Sequence, residues 1–472
     1  MKKLKYVSAD CGSGKTKYIT EQANSNNKYN IIVQTTAALI HQTCSHLTDC
    51  QYILSGVNSD NTVRDFSEWL RNKPSKNLVI TNKTFFRAST QDLEQLSKSN
   101  IVVHIDDVTT GYGFFNENSN HNEVIEKLLG NVDLSQEYFT STELVNDSND
   151  FVLSNIYKSI VESGVYDYVV MKNPRFDEKA EYKKICLLSS IDLKKYLGIN
   201  ITFYSNDFEN SLIYKSDPEL FEKVELVLNQ RATPIKDRMN VFYFSKKNLS
   251  KYYKSTNEES FLKVVDYIES TVNGDYIYTA NKNDIDGLLK NKFQNGSFVS
   301  VDCRGINSYQ SYTNCVFLAS LKPNKNESEM TEKFLGISYS DIIQQRELEA
   351  LYQFVNRTAL RDYDSSSKVN VYVFDEQQAY SLSDNPVFID LGLESNKKAR
   401  ALETKPRAKN KTTLSDVFTS AEQTKIRRFV KTCTSTKEML EYIDRFDWTN
   451  EQKLLASTVY TKKSLKEFRA MK

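Results

Sequence analysis

Of the 472 residues only four are histidine, and none of the seven cysteines (Cys11, Cys44, Cys50, Cys186, Cys303, Cys315 and Cys433) has a partner at Cys-x-x-Cys spacing. An odd, scattered set with no histidine cluster excludes a structural zinc site and a disulfide framework, and it fits a reducing compartment. Apolar runs are short as well, and none approaches the about 18–20 residues that span a bilayer. Met1-Lys2-Lys3 begins like a secretory leader, but charged and polar residues interrupt the stretch after it, so no leader and no membrane partner are expected. An excess of one charge is also missing, with 62 Lys+Arg against 61 Asp+Glu. No whole-molecule field draws the chain to a polyanion, so any nucleic-acid contact must come from local patches. What remains is 39% hydrophobic and 26% charged, the composition of a folded chain long enough for two or three domains.

Short β-rich runs recur along the first half: residues 5–9, Ile31-Ile32-Val33, Leu78-Val79-Ile80, Ile101-Val102-Val103 and Ile185-Cys186-Leu187-Leu188. Most end in a polar turn and alternate with helical stretches such as 37–47 and 91–98, which predicts an α/β fold with parallel, buried strands. A second series lies at Val241–Phe244, Tyr276–Tyr278, Phe298–Val301, Val316–Leu318 and Val369–Phe374. A helix at 218–229 and the Pro234 region would join the two halves. Residues 111–182, rich in Asn, Asp, Ser and Tyr, read as an insertion with helical pieces near 122–129 and 150–163. The resulting division is a first lobe over 1–215, a second over 216–390, a basic linker over 391–412 and a helical module over 413–472. Capping boxes at Thr419/Glu422, Ser435/Glu438 and Thr449/Gln452 mark about three helices in that module.

The most specific motif lies at the N-terminus, where Ala9-x-x-x-x-Gly14-Lys15-Thr16 follows a strand and opens a helix. Glycines let backbone N–H groups converge on phosphates, Lys15 neutralises the β/γ charge, and the Thr16 hydroxyl coordinates Mg²⁺. Gly12, Ser13, Gly14, Lys15 and Thr16 are therefore candidate nucleotide-binding residues, with ATP and Mg²⁺ as the expected cofactors. Ile101-Val102-Val103-His104-Ile105-Asp106-Asp107 supplies an apolar strand ending in two carboxylates. Asp106 would hold the metal together with Thr16, and Asp107 would polarise the attacking water. The usual second acid is Glu, and Asp107 is one methylene shorter. His104 reads most simply as a packed strand residue.

With these two elements in place, the remaining strand ends resemble superfamily 2 helicases of the DEAD/DEAH-like kind, in order along the chain. Gln34-Thr35-Thr36 after Ile31–Val33 resembles motif Ia, with Gln34 where the family has proline, and Thr81-Asn82 resembles the next strand-end motif. Leu187-Leu188-Ser189-Ser190 is similar to motif III, and Val241–Ser245 to motif IV. Val301–Asn307, ending in Gly305-Ile306-Asn307, is similar to motif V. Gln353-Phe354-Val355-Asn356-Arg357-Thr358-Ala359-Leu360-Arg361 resembles motif VI, with Asn356 for glycine and the second arginine one position late. Its two arginines, one helical turn apart, are expected on the same helix face.

The resemblance spans roughly residues 1–385 and implies two tandem RecA-like parallel-sheet lobes with ATP bound between them. It also implies phosphate contacts to a nucleic acid from Thr35, Thr36, Thr81, Asn82 and Asn307, a nucleotide contact from Gly305, and catalytic roles for Lys15, Asp106, Asp107, Gln353, Arg357 and Arg361. Which arginine acts as the finger stays open. The expected activity is an ATP-dependent helicase or translocase, on DNA more than RNA, of a phage or plasmid replication type in a bacterial or phage-infected cytoplasm. The alternatives are a P-loop kinase or small-molecule NTPase, a packaging-type ATPase, and an ATP-binding scaffold with weak turnover. The insertion would either grip a duplex or decorate the surface. The basic linker is either a solvated tether or a source of non-specific affinity, and the C-terminal module either docks a replication or repair protein or caps the second lobe.

Overall fold

The computed structural model describes residues 3–107, 111–119, 137–140, 165–172 and 183–393, together with 436–449 and isolated positions around it in the C-terminal segment. The chain divides into two compact units, Met1–Leu393 and Glu394–Lys472.

The strands of the first unit are Leu4–Ser8 (β1), Tyr29–Gln34 (β2), Cys50–Ile53 (β3), Asn77–Thr81 (β4), Ile101–Asp106 (β5), Tyr112–Ser119 (β6), Tyr138–Thr140 (β7), Tyr168–Lys172 (β8), Lys183–Ser190 (β9), Ile201–Ser205 (β10) and Phe221–Lys223 (β11). They continue with Met239–Ser245 (β12), Tyr276–Ala280 (β13), Gly296–Phe298 (β14), Asn314–Leu318 (β15), Val369–Asp375 (β16) and Val387–Phe388 (β17). A seven-stranded sheet has the order β11-β1-β10-β5-β2-β4-β3, and a six-stranded sheet the order β14-β13-β15-β16-β12-β17. Every pairing in both is parallel. The protein is thus α/β, with two tandem parallel-sheet lobes.

Burial explains why these runs became central strands. Ile31, Ile32 and Val33 of β2 are fully buried although they point to both faces of the sheet. Only a strand covered by helices on both sides can hold three consecutive branched residues there, each contributing about 1.5–3 kcal/mol. In the second lobe Val371, Val373 and Phe374 of β16 repeat the pattern. In both lobes the turns that leave the strands' carboxyl ends are gathered along one edge of a parallel sheet.

Three expectations from sequence need correcting. The run Ile185–Leu188 does not join the parallel sheet. It lies in β9 of a separate four-stranded sheet of order β6-β9-β8-β7, whose pairings are antiparallel. A short apolar run reads alike in either setting, and the strands that pair with it come from the inserted segment. The helical pieces proposed within that insertion lie outside the described residues.

The second correction concerns 218–229, which is not a helix. Pro218–Leu220 forms one 3₁₀ turn, β11 pairs with β1, and an extended passage comes next. Val224, Leu226 and Leu228 pack on the core beneath β1, whereas Val227 between them is fully exposed. That alternation has a period of two, and Asp217-Pro218 disfavours helical entry.

The third correction is that the helix Glu349–Val355 ends before Arg357. Arg361 sits on a separate 3₁₀ turn, Ala359–Arg361, so the two arginines do not share one helical face.

In the second unit, a helix spans Thr436–Ile443, and Phe418, Ile426, Val430, Met439, Ile443 and Ala456 form a small core. Thr449 and Gln452 exchange hydrogen bonds, the Thr449 N–H donating to Oε1 and the Gln452 N–H to the hydroxyl, at 2.9 and 3.3 Å. Thr419, Ser435 and the linker proposed at 391–412 fall, from residue 394 onward, outside the described residues. Among the described residues no helix is long and apolar enough to cross a membrane.

Candidate nucleotide-binding site

The loop from Ala9 to Gly14 leaves β1 and enters the helix Lys15–Ser25 (α1). Gly12 and Gly14 hold φ near +83° and +96°, a left-handed backbone that a side chain would strain. A Cβ on Gly12 would also stand 2.9 Å from the ring of Tyr363, which belongs to the second lobe. The start of α1 directs its unpaired N–H groups into the loop, the arrangement that favours an anion. Lys15 Nζ donates to the carbonyls of Ala9 and Asp10, at 2.6 and 2.9 Å, so its charge is held inside the loop's curve.

β5 ends beside it. The Thr16 hydroxyl donates to Asp106 Oδ2 at 2.8 Å, and Gln34 Nε2, at the end of β2, donates to the same oxygen at 3.0 Å. Gln34 also donates to the Thr43 hydroxyl at 2.8 Å, on the helix Ala37–Ser45 (α2). Two strand ends and the start of α1 therefore meet at one carboxylate. Burial, and then the neighbouring Asp107 charge, push the Asp106 carboxyl upward, against the hydrogen bonds from Gln34 and Thr16. Thr16 and Asp106 fit a hard divalent cation that takes its other oxygens from phosphate and water. Asp107 has φ +71°, an uncommon conformation for a non-glycine residue, and lies 3.7 Å from Arg304 Nε of the second lobe. His104 is buried beside Tyr204, 3.2 Å from its hydroxyl, and burial pushes it down to about 4.

The second lobe closes the site. Lys15, Thr16, Asp106, Asp107, Gln353, Arg357, Arg361, Gly305 and the loop glycines line one cleft of about 570 Å³. Arg357 is 4% exposed. It donates to Gln353 Oε1 at 3.1 Å and to the Ile306 carbonyl at 3.2 Å, while its Nε has no partner among the described residues. The buried Ser13 hydroxyl is equally unpartnered. Orphaned donors next to a glycine loop and a lysine are what a phosphate chain would satisfy. The cleft therefore has the chemistry to bind a polyphosphate with a divalent cation and to press arginines on its far end.

The residues expected to contact nucleic acid do not all fall together. Thr36 caps α2, its hydroxyl accepting from the Leu39 N–H at 3.3 Å, and Thr81 caps the helix Asn82–Phe86, accepting from the Thr84 N–H at 3.2 Å. Thr35 Oγ1 and both polar atoms of the Asn82 side chain are buried without partners among the described residues. Those four residues share the carboxyl edge of the first sheet. Asn307 is elsewhere, lining the cleft with the phosphate loop. Ser189-Ser190 end β9 in the antiparallel sheet, while the strand between β1 and β5 is β10, which ends at Ser205.

Sequence reasoning also missed Arg231. From the passage joining the lobes it donates to Asp10 Oδ2 at 2.7 Å, to the Cys11 carbonyl at 3.0 Å and to Asn356 Oδ1 at 2.8 Å, and it lies 4.1 Å from the Tyr363 ring centre. Tyr352 donates to the other oxygen of Asp10 at 2.5 Å. Nothing in the local sequence around Arg231 marks it, because its partners are remote in the chain.

Residues 219–379 match the family described as the YonV C-terminal Rossmann-like domain. No curated protein matches the sequence. Among solved structures the chain is similar to an XPD protein in its apo form, with 11% identity, TM-score 0.48, and coverage of 82% of this chain and 97% of that one. It is also similar to Xpd4 of S. tokodaii (10%, TM-score 0.45, 79% and 92%) and to S. cerevisiae Dbp5 bound to RNA and ADP BeF3 (10%, TM-score 0.40, 85% and 88%). The neighbours are superfamily 2 helicases, and at these identities and TM-scores the likeness assigns no activity to this chain. It does not support a phage or plasmid replication type.

Proposed function

We propose that this chain is an ATP-hydrolysing nucleic-acid motor, a helicase or translocase, working through closure of its two lobes. The observation that carries this reading is the composite cleft, with the phosphate loop and Asp106 contributed by one lobe and Gln353, Arg357 and Arg361 by the other. A kinase or small-molecule NTPase needs no second parallel-sheet lobe to present cationic groups to its phosphates.

In this mechanism Gly12–Thr16 bind the triphosphate through backbone N–H groups and the Lys15 ammonium. A Mg²⁺ held by Thr16 and Asp106 would neutralise charge on the β- and γ-oxygens. Asp107 stands where a water-orienting acid is needed. Arg357, buried and with one donor unspent, is better placed than a solvated arginine to stabilise the charge that develops on the γ-phosphoryl group. Arg361 flanks Gly12, where its side chain comes within 3.5 Å of a Cβ built at that glycine.

Thr35, Thr36, Thr81 and Asn82 lie together on the carboxyl edge of the first sheet, with Thr35 and Asn82 buried and Thr36 and Thr81 engaged as caps. The backbone N–H groups at the two helix starts there suit phosphates of a single strand. Hydrolysis that relaxes the cleft would change the distance between this edge and the second lobe, moving the strand by steps.

The test is ATP hydrolysis measured with and without single-stranded DNA and RNA, comparing wild type with Lys15→Ala. Stimulation by one polymer, absent in the variant, supports a motor and names its track. Hydrolysis indifferent to both polymers overturns the motor reading in favour of a stand-alone NTPase.

A further inference from the structure

One carboxylate beside the cleft, in a small pocket with Asn206 and Gln353, belongs to none of the motifs above. Glu349 lies within the helical run that carries Gln353, on the second lobe, and it is partly buried against the first. Its Oε1 accepts from Gln353 Nε2 and its Oε2 from Asn206 Nδ2, each at 2.8 Å. Asn206 directly follows β10, the strand between the phosphate-loop strand and the Asp106 strand. Gln353 passes the connection on, because its Oε1 accepts from Arg357. Four side chains thus run from the end of β10 in one lobe to the cleft arginine in the other.

Donor arithmetic fixes the polarity of this chain. Arginine can only donate, so Gln353 must turn its oxygen to Arg357 and its amide nitrogen to residue 349. Asn206 likewise presents its nitrogen. The central position receives two donors from opposite sides, and an ionised carboxylate is the side chain that satisfies both at full strength. A glutamine there would keep both links only if Asn206 turned its amide to accept, and it would exchange charge-assisted bonds for neutral ones.

We propose that Glu349 is a positioning residue: by joining Asn206 of the first lobe to Gln353 of the second, it sets the orientation of Arg357 toward the phosphate cradle and makes that orientation depend on the lobes being closed. This rests on the cleft being the hydrolytic site inferred above. Closure brings Asn206 to Glu349, and Glu349 then holds Gln353 in the rotamer that holds Arg357. When the lobes part, the Asn206 arm is lost and Gln353 is free to turn. The relay lets the arginine act only in the closed state. The charged groups facing Glu349 are Asp107, Lys15 and Arg304, with the Cys11 thiol nearby.

An exchange of hydrogen-bond polarity tests the idea. In Glu349→Gln the charge-assisted bonds are replaced by neutral ones and Asn206 must turn its amide, and in Asn206→Asp two carboxylates meet. In the double variant the new amide at 349 donates to the new carboxylate at 206 while its oxygen still accepts from Gln353, so the relay is rebuilt in reverse at one joint. Expected for each single variant is a fall of about 10- to 100-fold in kcat for ATP hydrolysis, as for loss of a charge-assisted hydrogen bond, with KM within about twofold of wild type. The double variant should recover most of kcat. Single variants that keep wild-type kcat, or a double variant no better than the worse single one, overturn the relay, provided wild type hydrolyses ATP and Lys15→Ala does not. If wild type itself shows no Lys15-dependent hydrolysis, the reading of the cleft falls and the relay's role falls with it. Thermal unfolding of all four proteins separates a folding defect from a positioning defect, since only the former lowers the unfolding midpoint along with turnover.

Discussion

At the scale of single residues the site is organised by carboxylates whose partners come from distant parts of the chain. Asp106 is held by Thr16 and Gln34, and Asp10 by Arg231 and Tyr352. Lys15→Ala removes the one ammonium enclosed by the loop, and ATP hydrolysis is expected to fall by at least about 100-fold in a steady-state assay.

Glu349 makes a prediction about pH. Burial pushes its carboxyl up to about 7, Asp107 adds to the rise, and the hydrogen bonds from Gln353 and Asn206 oppose it. A raised acid binds its proton more tightly folded than unfolded, so its contribution to stability is full below the unfolded value near 4.5 and is lost as pH rises through about 7. Glu349→Gln should flatten this part of the profile of denaturation midpoint against pH between about 4.5 and 7.5. An unchanged slope would mean that the group does not titrate there. His104, pushed down to about 4 by burial, has the opposite sign: its contribution is lost as pH falls from 6.5 toward 4.

At the scale of elements, turns and alternations decide where the sequence could be read. Gly305 has φ +82°, and a Cβ there would meet Leu39 of the first lobe at 3.0 Å. Gly305→Ala should therefore lower stability by about 1–2 kcal/mol in a denaturant titration and also raise KM, because the clash lies between the lobes. In the passage after β11, Leu226→Asp should destabilise by about 1–2 kcal/mol and Val227→Asp by less than about 0.5, given their opposite exposures. Equal effects would contradict the extended packing of that passage.

The same passage shows what the sequence carried and what it hid. Ile31–Val33 and Ile101–Val103 announced buried strands because both of their faces are apolar. The alternation of Val224, Leu226 and Leu228 was equally present, yet it was outweighed by a helical composition. Ile185–Leu188 was visible as a strand, but its sheet was not, since the pairing partners Tyr112–Ser119 and Tyr168–Lys172 are chosen by tertiary contacts. In the site, Gly12–Thr16 and Asp106 are legible because phosphate chemistry constrains neighbouring residues. Arg231, Asn206 and Glu349 were not, because each acts through a partner more than a hundred residues away.

At the scale of the whole first unit, the two lobes meet through polar links and an apolar cluster. Arg231, Tyr352, Tyr363 and Asn356 gather around the phosphate loop, and Asn206–Glu349 and Arg304–Asp107 cross beside it. Tyr112, Leu188 and Leu212 of the first lobe pack with Met330, Ile337 and Ile342 of the second, where Arg346 donates to the Tyr112 hydroxyl at 2.9 Å. Because Arg231 holds the phosphate loop itself, Arg231→Ala should raise KM for ATP by about tenfold, read from initial rates, as the loop loses two of its supports. An unaltered KM would mean that these bonds do not support the loop.

The measurement that bears most directly on the composite site compares ATP binding with ATP hydrolysis in Arg357→Ala and Arg361→Ala, alongside Lys15→Ala. Equilibrium binding of a fluorescent ATP analogue gives the first quantity and phosphate release the second. The account predicts that Lys15→Ala loses both, while at least one arginine variant binds within about threefold of wild type and hydrolyses at least about 100-fold more slowly. Arginine variants that both hydrolyse at the wild-type rate would contradict it, because the second lobe would then contribute nothing to the chemistry.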